Sequence, residues 1–148
     1  MNDWMRTAVI GFAAGALSVL IFHQFGFWLS NELGFTRAAI YSTRPVPPWG
    51  VPTIVSLAFW GGLWGVAAVF LVARLPGALG GVLGWVLFAA IVVTLVNWFV
   101  VLPIKGLPMG GGFRLPGVVV VPVVYAFWGF GMWVIARRLC ILLGWEKA

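Results

Sequence analysis

The chain has 148 residues, of which 63% are hydrophobic and 8% are charged, and its formal net charge is +6. Because so few polar side chains cannot cover a water-soluble core, this composition excludes an ordinary soluble domain and is typical of an integral membrane protein. The nine Lys and Arg residues stand mostly singly at the ends of apolar stretches, where basic groups meet lipid phosphates. The charge therefore indicates a lipid bilayer as partner, and we expect no nucleic-acid partner.

Four apolar stretches predict four transmembrane helices, at about residues 8–29, 51–73, 79–103 and 115–136. Each is close to or above the ~20 apolar residues that a helix needs to cross a bilayer core. Helices are expected because an open strand edge cannot satisfy its backbone groups in lipid, and the stretches lack the polar alternation of a membrane barrel. Residues 1–148 are thus predicted to form a single all-α membrane domain. Its basic C-terminal tail, residues 137–148, is expected to lie in the membrane interface.

An internal similarity links the second and fourth stretches. Ala58-Phe59-Trp60-Gly61 recurs as Ala126-Phe127-Trp128-Gly129, and in both copies a Val-Pro pair precedes the motif and an Ala-Arg pair follows it. This pattern predicts two tandem two-helix hairpins, related as parallel repeats about an axis along the membrane normal. Chance similarity in a chain rich in Ala, Phe, Trp and Gly is the alternative.

Polar residues inside the spans cluster toward one leaflet, and we expect them to form a pocket: His23, Ser56, Asn97 and Tyr125. Such residues are costly in lipid, so they often mark a functional site. The pocket would open toward basic residues of the first and third connections, which are Arg37, Arg44, Lys105 and Arg114. The alternative is that these side chains only hold the helices in register through interhelical hydrogen bonds, each worth ~0.6 kcal/mol.

Small residues spaced four apart, together with large aromatic residues, predict the helix-packing faces. The small residues are Gly11, Gly15, Gly61 and Gly65, and the aromatic ones are Trp60, Trp64, Trp128 and Trp133. Several other Trp residues lie near span ends, as expected for an aromatic belt.

No catalytic or metal-binding pattern stands out. His23 is the single histidine and Cys140 the single cysteine, so one chain cannot supply a bis-histidine haem site or a cysteine metal cluster. The acidic residues Asp3, Glu32 and Glu146 all lie outside the spans. We therefore expect no enzyme activity, no bound metal and no cofactor.

Three short segments resemble the tryptophan-rich sensory membrane proteins: Pro47-Pro48-Trp49, Asn97-Trp98 and Val121-Pro122. Members of that family have five spans, whereas this sequence provides four. The resemblance covers isolated segments of two or three residues, and we base no prediction on it.

The function that these features favour is that of a small non-enzymatic accessory subunit or scaffold of a larger membrane complex. Its Gly- and Trp-rich helix faces would contact another membrane protein or a second copy of the chain. The alternative is a small transporter or channel-forming homo-oligomer that uses the polar residues as its binding site. A sensor of hydrophobic ligands is a third possibility.

The basic residues at the span ends predict the orientation. The side that carries both termini has five of them, which are Arg6, Arg74, Arg137, Arg138 and Lys147, and the opposite side has the four loop residues. The adjacent Arg137 and Arg138 are the strongest cue. We therefore expect a multi-pass protein of the bacterial inner membrane with both termini in the cytoplasm.

Overall fold

The computed structural model describes residues 2–145, and four long helices account for most of them. They are α1 (Asp3–Glu32), α2 (Thr53–Leu71), α3 (Val82–Ile104) and α4 (Gly117–Leu142). All four are long and apolar enough to cross a membrane. The predicted number and type of the main elements are thereby confirmed.

The first and last helices extend beyond their predicted spans. α1 begins at Asp3 because the side chain of Asn2 caps it, accepting a hydrogen bond from the backbone N–H of Met5 at 2.9 Å. α4 continues to Leu142, so residues 137–142 of the predicted tail are helical. The helix ends when Gly144 adopts a positive φ of 63° and the N–H of Trp145 reaches the carbonyl of Cys140 at 2.7 Å. Lys147 and Glu146 lie outside the described residues.

The first connection is an ordered segment with two very short strands. β1 (Pro45–Val46) pairs antiparallel with β2 (Val51–Pro52), a small departure from the all-α prediction. The side chain of Asn31 holds the start of this connection, because its amide oxygen accepts the hydroxyl of Thr36 at 2.6 Å and the N–H of Ala38 at 2.9 Å. The other two connections each contain one 3-10 turn, Gly77–Leu79 and Met109–Gly112.

The helices follow one another across the bundle in the order α2–α1–α4–α3, and each neighbouring pair runs antiparallel. α1 packs against α2 and α4, and α4 packs against α3. α2 and α3 make much less contact with each other, and a seam lies between them. The two ends of the described chain lie on the same side of the bundle, since the Arg6 guanidinium stands 5.3 Å from the centre of the Trp145 ring.

This order does not confirm the predicted repeat. A two-fold axis relating α1 to α3 and α2 to α4 would make the α1–α4 contact equivalent to a contact between α3 and α2. The first is extensive and the second is slight. The two Trp residues that the repeat makes equivalent also differ, because Trp60 is 57% exposed and Trp128 is 3% exposed.

The closest approach of two helices is between α1 and α2, at the predicted small-residue faces. A Cβ atom placed on Gly11 would lie 2.7 Å from the carbonyl oxygen of Gly65, and one on Gly15 would collide with the carbonyl of Gly61. Only glycine lets the two backbones come this near. The four glycines are buried against each other, so they bind α1 to α2 and leave no surface for another protein.

A reciprocal pair of hydrogen bonds joins α1 to α4. The Ser18 hydroxyl donates to the carbonyl of Trp128 at 2.7 Å, and the Trp128 indole N–H donates to the carbonyl of Gly15 at 3.1 Å. Ser18 and Trp128 are both buried. The α1–α4 contact is therefore fixed by directional bonds as well as by shape.

Candidate functional site

A cavity of about 330 Å³ lies behind the seam between α2 and α3, and α1 and α4 close its inner side. Fourteen described residues from all four helices line it: Val19, His23, Leu57, Trp60, Gly61, Trp64, Val93, Val96, Asn97, Val101, Ile104, Lys105, Tyr125 and Trp128. Its walls are mostly apolar, with a few polar groups, which is the usual composition of a small-molecule site.

His23 is fixed on the inner wall of the cavity. It ends a π-helical turn, Val19–His23, and is only 6% exposed. Its ring packs at 5.0 Å from Phe27 and at 5.9 Å from Tyr125. Burial between two aromatic rings leaves the imidazole few orientations.

Gln24 decides which nitrogen of His23 carries the proton. The Gln24 amide oxygen accepts the backbone N–H of Tyr41 at 2.8 Å, so its amide nitrogen faces His23 Nδ1 at 3.3 Å. Since that nitrogen of Gln24 can only donate, His23 Nδ1 accepts and the ring proton lies on Nε2. The imidazole therefore has an N–H donor left to offer.

α3 and the residue that follows it contribute a stripe of residues four apart, all of which line the cavity: Val93, Asn97, Val101 and Lys105. Two π-helical turns shape this stretch, because Val93 ends the turn Phe88–Val93 and Asn97 begins the turn Asn97–Val101. Such turns rotate the following side chains relative to an α-helix and are frequent at functional sites. They bring an amide and an amine onto the same wall.

α4 supplies Tyr125 and, one turn deeper, Trp128. Their rings lie 6.1 Å apart, and the Tyr125 ring also lies against His23. The indole N–H of Trp128 is already bonded to α1. Tyr125 is thus the residue of α4 with a polar group to offer to the cavity.

The structure brings together three of the four predicted pocket residues, His23, Asn97 and Tyr125. Ser56 is half-buried on α2 and does not line the cavity. Lys105 is the one predicted loop residue at the cavity, and Arg37, Arg44 and Arg114 are exposed elsewhere. Among the predicted packing residues, Trp60, Trp64, Gly61 and Trp128 also line it, whereas Trp133 packs beneath the Arg137 guanidinium at 5.2 Å.

Sequence reasoning missed Gln24 and Thr94. Both are nearly fully buried, at 4% and 2% exposure. Gln24 orients His23, and the Thr94 hydroxyl, between the two π-helical turns of α3, has no hydrogen-bond partner within residues 2–145. The signal that was available is simple: each is a polar residue inside an apolar span, next to or near a residue already singled out.

A second, wider groove of about 710 Å³ runs along the outer side of α1 and α4, beneath the first connection. Its lining is almost entirely apolar and aromatic: Ile21, Phe22, Gln24, Phe25, Trp28, Ile40, Tyr41, Phe127 and Phe130. Gln24 and Tyr41 form its polar end.

The seam cavity combines a small set of polar groups. Its described lining contains an imidazole, an amide, a phenol and an amine, without carboxylate, thiol or aliphatic hydroxyl. Within residues 2–145, no three His, Cys, Asp or Glu side chains lie close enough together to hold a metal ion. Comparisons of the chain with protein-family models, with curated proteins and with solved structures found no match.

Proposed function

We propose that this chain is a four-span integral membrane protein that binds a small molecule in the seam cavity, as a small transporter or a ligand-binding protein. The observation that carries the proposal is that His23, Asn97, Lys105 and Tyr125, from three different parts of the chain, line one apolar cavity. Polar groups inside apolar spans are costly. Hydrogen bonds from these groups to one bound ligand would offset this cost.

Membrane insertion is supported by the outer surface of the bundle. Ile21, Leu71 and Val119 are each more than half exposed, and all lie on helices apolar enough to cross a membrane. Such a surface is stable in lipid and costly in water. The described basic side chains are exposed near the helix ends and in the connections, where they would meet lipid headgroups.

A non-enzymatic role is supported by the composition of the cavity. Hydrolytic and group-transfer chemistry usually needs a nucleophile beside a base, or paired carboxylates. The described lining contains no carboxylate, thiol or aliphatic hydroxyl for such a site.

An accessory subunit of a membrane complex is the second candidate, and the outer groove favours it. This groove is large, apolar and open along α1 and α4, so a helix of another membrane protein can occupy it. The glycines of α1 and α2 no longer support this function because they are used within the chain.

We further propose that the protein lies in the bacterial inner membrane with both termini in the cytoplasm. Arg6, Arg74 and Arg137 each stand over an aromatic ring at 5.1–5.3 Å. Cationic side chains anchored in this way at one end of the bundle resist translocation.

Native mass measurement of the gently extracted protein tests the choice between the two functions. We expect a small-molecule adduct that is lost in Val96→Phe, which fills the cavity, and kept in Val100→Phe. The control places the same ring on the same helix at an exposed residue outside the lining. A stoichiometric foreign polypeptide, without an adduct that depends on Val96, would support the accessory subunit and overturn the binding function.

A further inference from the structure

We infer that the ligand of the seam cavity is a single-chain amphiphile with an anionic head, an uncharged polar linker and one hydrocarbon tail, as in a monoacyl glycerophospholipid. This inference rests on the proposed function, because it names the class of ligand for the same cavity. It follows from the order in which charged, polar and apolar groups line the cavity along the helix axes.

The mouth of the cavity is cationic. Lys105 follows the end of α3 on the side of the first and third connections, and it is exposed. It is the one charged residue among the described lining, which contains no acidic side chain. An ammonium group without a neighbouring carboxylate in the site favours an anionic head and disfavours a cationic one.

Hydrogen-bonding groups lie deeper. Asn97 is about 12 Å below Lys105 along the axis of α3, and both residues line the cavity. His23 offers its Nε2–H, and Tyr125 faces the His23 ring at 5.9 Å. Donors at this depth can bind an ester carbonyl or a glycerol hydroxyl. A bare hydrocarbon chain has no acceptor for them.

The floor of the cavity is apolar. Val19, Trp64, Val93 and Trp128 line it below the polar groups, and the Trp64 ring packs at 5.9 Å from Phe88. From Val93 to Lys105 the lining extends over about 18 Å of helix axis. A volume of about 330 Å³ over that length makes a narrow slot, which fits one chain better than two.

The seam gives this ligand a lateral way in. α2 and α3 make little contact with each other, and Trp60, at the edge of the cavity, is more than half exposed. A tail can therefore enter between the helices from the surrounding lipid while the head stays at the mouth. A water-soluble anion would bind at the mouth alone and would not need an opening between the helices.

The test uses the full chain in nanodiscs of phosphatidylcholine, which has no net charge. The probe is lysophosphatidylglycerol with a brominated chain end, which quenches nearby Trp residues such as Trp64 and Trp128. Brominated monoacylglycerol keeps the linker without the anion, and a brominated fatty acid keeps an anion without the linker. In the Val96→Phe variant the cavity is filled, so the quenching that remains measures the probe that is dissolved in the lipid.

We expect lysophosphatidylglycerol to bind about tenfold more tightly than monoacylglycerol, the size of one charge-assisted contact. Lys105→Gln should remove this preference and leave monoacylglycerol binding unchanged. Arg37→Gln, an exposed basic residue outside the lining, should leave both unchanged. Asn97→Leu should weaken both glycerol-based probes and spare the fatty acid.

Equal binding of the charged and uncharged glycerol probes, or an unchanged preference in Lys105→Gln, would overturn the anionic head. A fatty acid that binds as tightly as lysophosphatidylglycerol would overturn the linker. Displacement by glycerol 1-phosphate alone would show a site for a free phosphate ester and overturn the tail. If no probe gives quenching that Val96→Phe abolishes, the proposed binding function itself fails, which is a different result from a wrong ligand class.

Discussion

Gly15 and Gly61 lie where α1 and α2 come closest. At either position, an added side chain would collide with the neighbouring helix. In lipid, helices gain little by hiding apolar surface from one another, so close packing and short polar contacts must hold them together. Glycine costs conformational entropy, and here that cost is offset by contact between the two backbones.

Gly15→Ala should therefore lower the free energy of unfolding by about 1–3 kcal/mol, the usual cost of overpacking. The added methyl group would meet the backbone carbonyl of Gly61, which cannot move aside as a flexible side chain can. Denaturant unfolding in mixed micelles, followed by circular dichroism, measures the change.

Gly117→Ala is the matched control, because a Cβ atom there has no neighbour within 4 Å. It should be neutral or slightly stabilising. Equal destabilisation by both substitutions would show that the loss at Gly15 does not come from the α1–α2 contact.

Which residues would meet in a site was partly predictable from the sequence. Depth along a span is easy to count, and it placed His23, Asn97 and Tyr125 at one level, where they now line one cavity. The direction in which a side chain points is harder, because these helices are apolar on all sides. Ser56 lies at the same depth as these residues, but it does not line the cavity. Depth alone therefore did not predict which residues meet.

At the level of the elements, the first connection is tied to both of the helices that it joins. The Tyr41 hydroxyl donates to the carbonyl of Leu20 at 2.6 Å, and the Tyr41 N–H donates to the Gln24 side chain at 2.8 Å. Farther along, Thr53 binds the carbonyl of Arg44 through both its N–H and its hydroxyl, at 2.9 and 2.7 Å. The connection thus covers one end of the bundle in a fixed position.

Gln24→Met should release this connection while keeping the volume of the side chain. The amide of Tyr41 loses its acceptor, so its hydrogen exchange should become about tenfold faster, the equivalent of one hydrogen bond. Exchange measured by mass spectrometry on peptides that cover residues 38–46 detects the change.

Thr43→Val is the control within the same connection, since its side chain is exposed. In this variant, the hydrogen exchange of residues 38–46 should match that of the unaltered protein. Unchanged exchange in Gln24→Met would show that the hydrogen bond from the Tyr41 N–H to Gln24 does not hold the connection in place.

The sequence predicted the four helices because their apolar stretches are long, but it did not reveal the π-helical turns. Each such turn, as at Val19–His23 or Asn97–Val101, adds a residue to a helical turn without a distinctive residue pattern. Helix ends were also imprecise: the Asn2 cap and the Gly144 turn are local signals that apolar length alone overlooks.

For the whole molecule, the order α2–α1–α4–α3 places the first and last helices at the centre. The repeat in the sequence suggested equal halves, yet the environments of Trp60 and Trp128 differ sharply. Short motifs can recur without imposing a common packing, because the neighbours of each helix decide which face is buried.

The proposed orientation predicts which connections reach the outside of the cell. In a Cys140→Ala background, Thr43→Cys should react with a membrane-impermeant thiol reagent in intact cells, because Thr43 is exposed in the first connection. Asp3→Cys, at the end that carries the termini, should react only after the cells are permeabilised. Gel-shift labelling of the purified chain measures both.

The opposite pattern, with Asp3→Cys labelled in intact cells and Thr43→Cys protected, would invert the orientation and turn the mouth of the cavity toward the cytoplasm. Neither residue takes part in the helix contacts described above, so both variants should keep the fold.

The central position of α1 and α4 has a consequence for how the protein is made. A ribosome completes α1 long before α4, and until then Ser18 and Gly15 lack the Trp128 groups that they bind. During that interval the nascent α1 has only α2 beside it, and this is the pair with the closest backbone contact. The α1–α2 pair is therefore the contact that can form first during synthesis, and the arrival of α4 completes the inner wall of the cavity last.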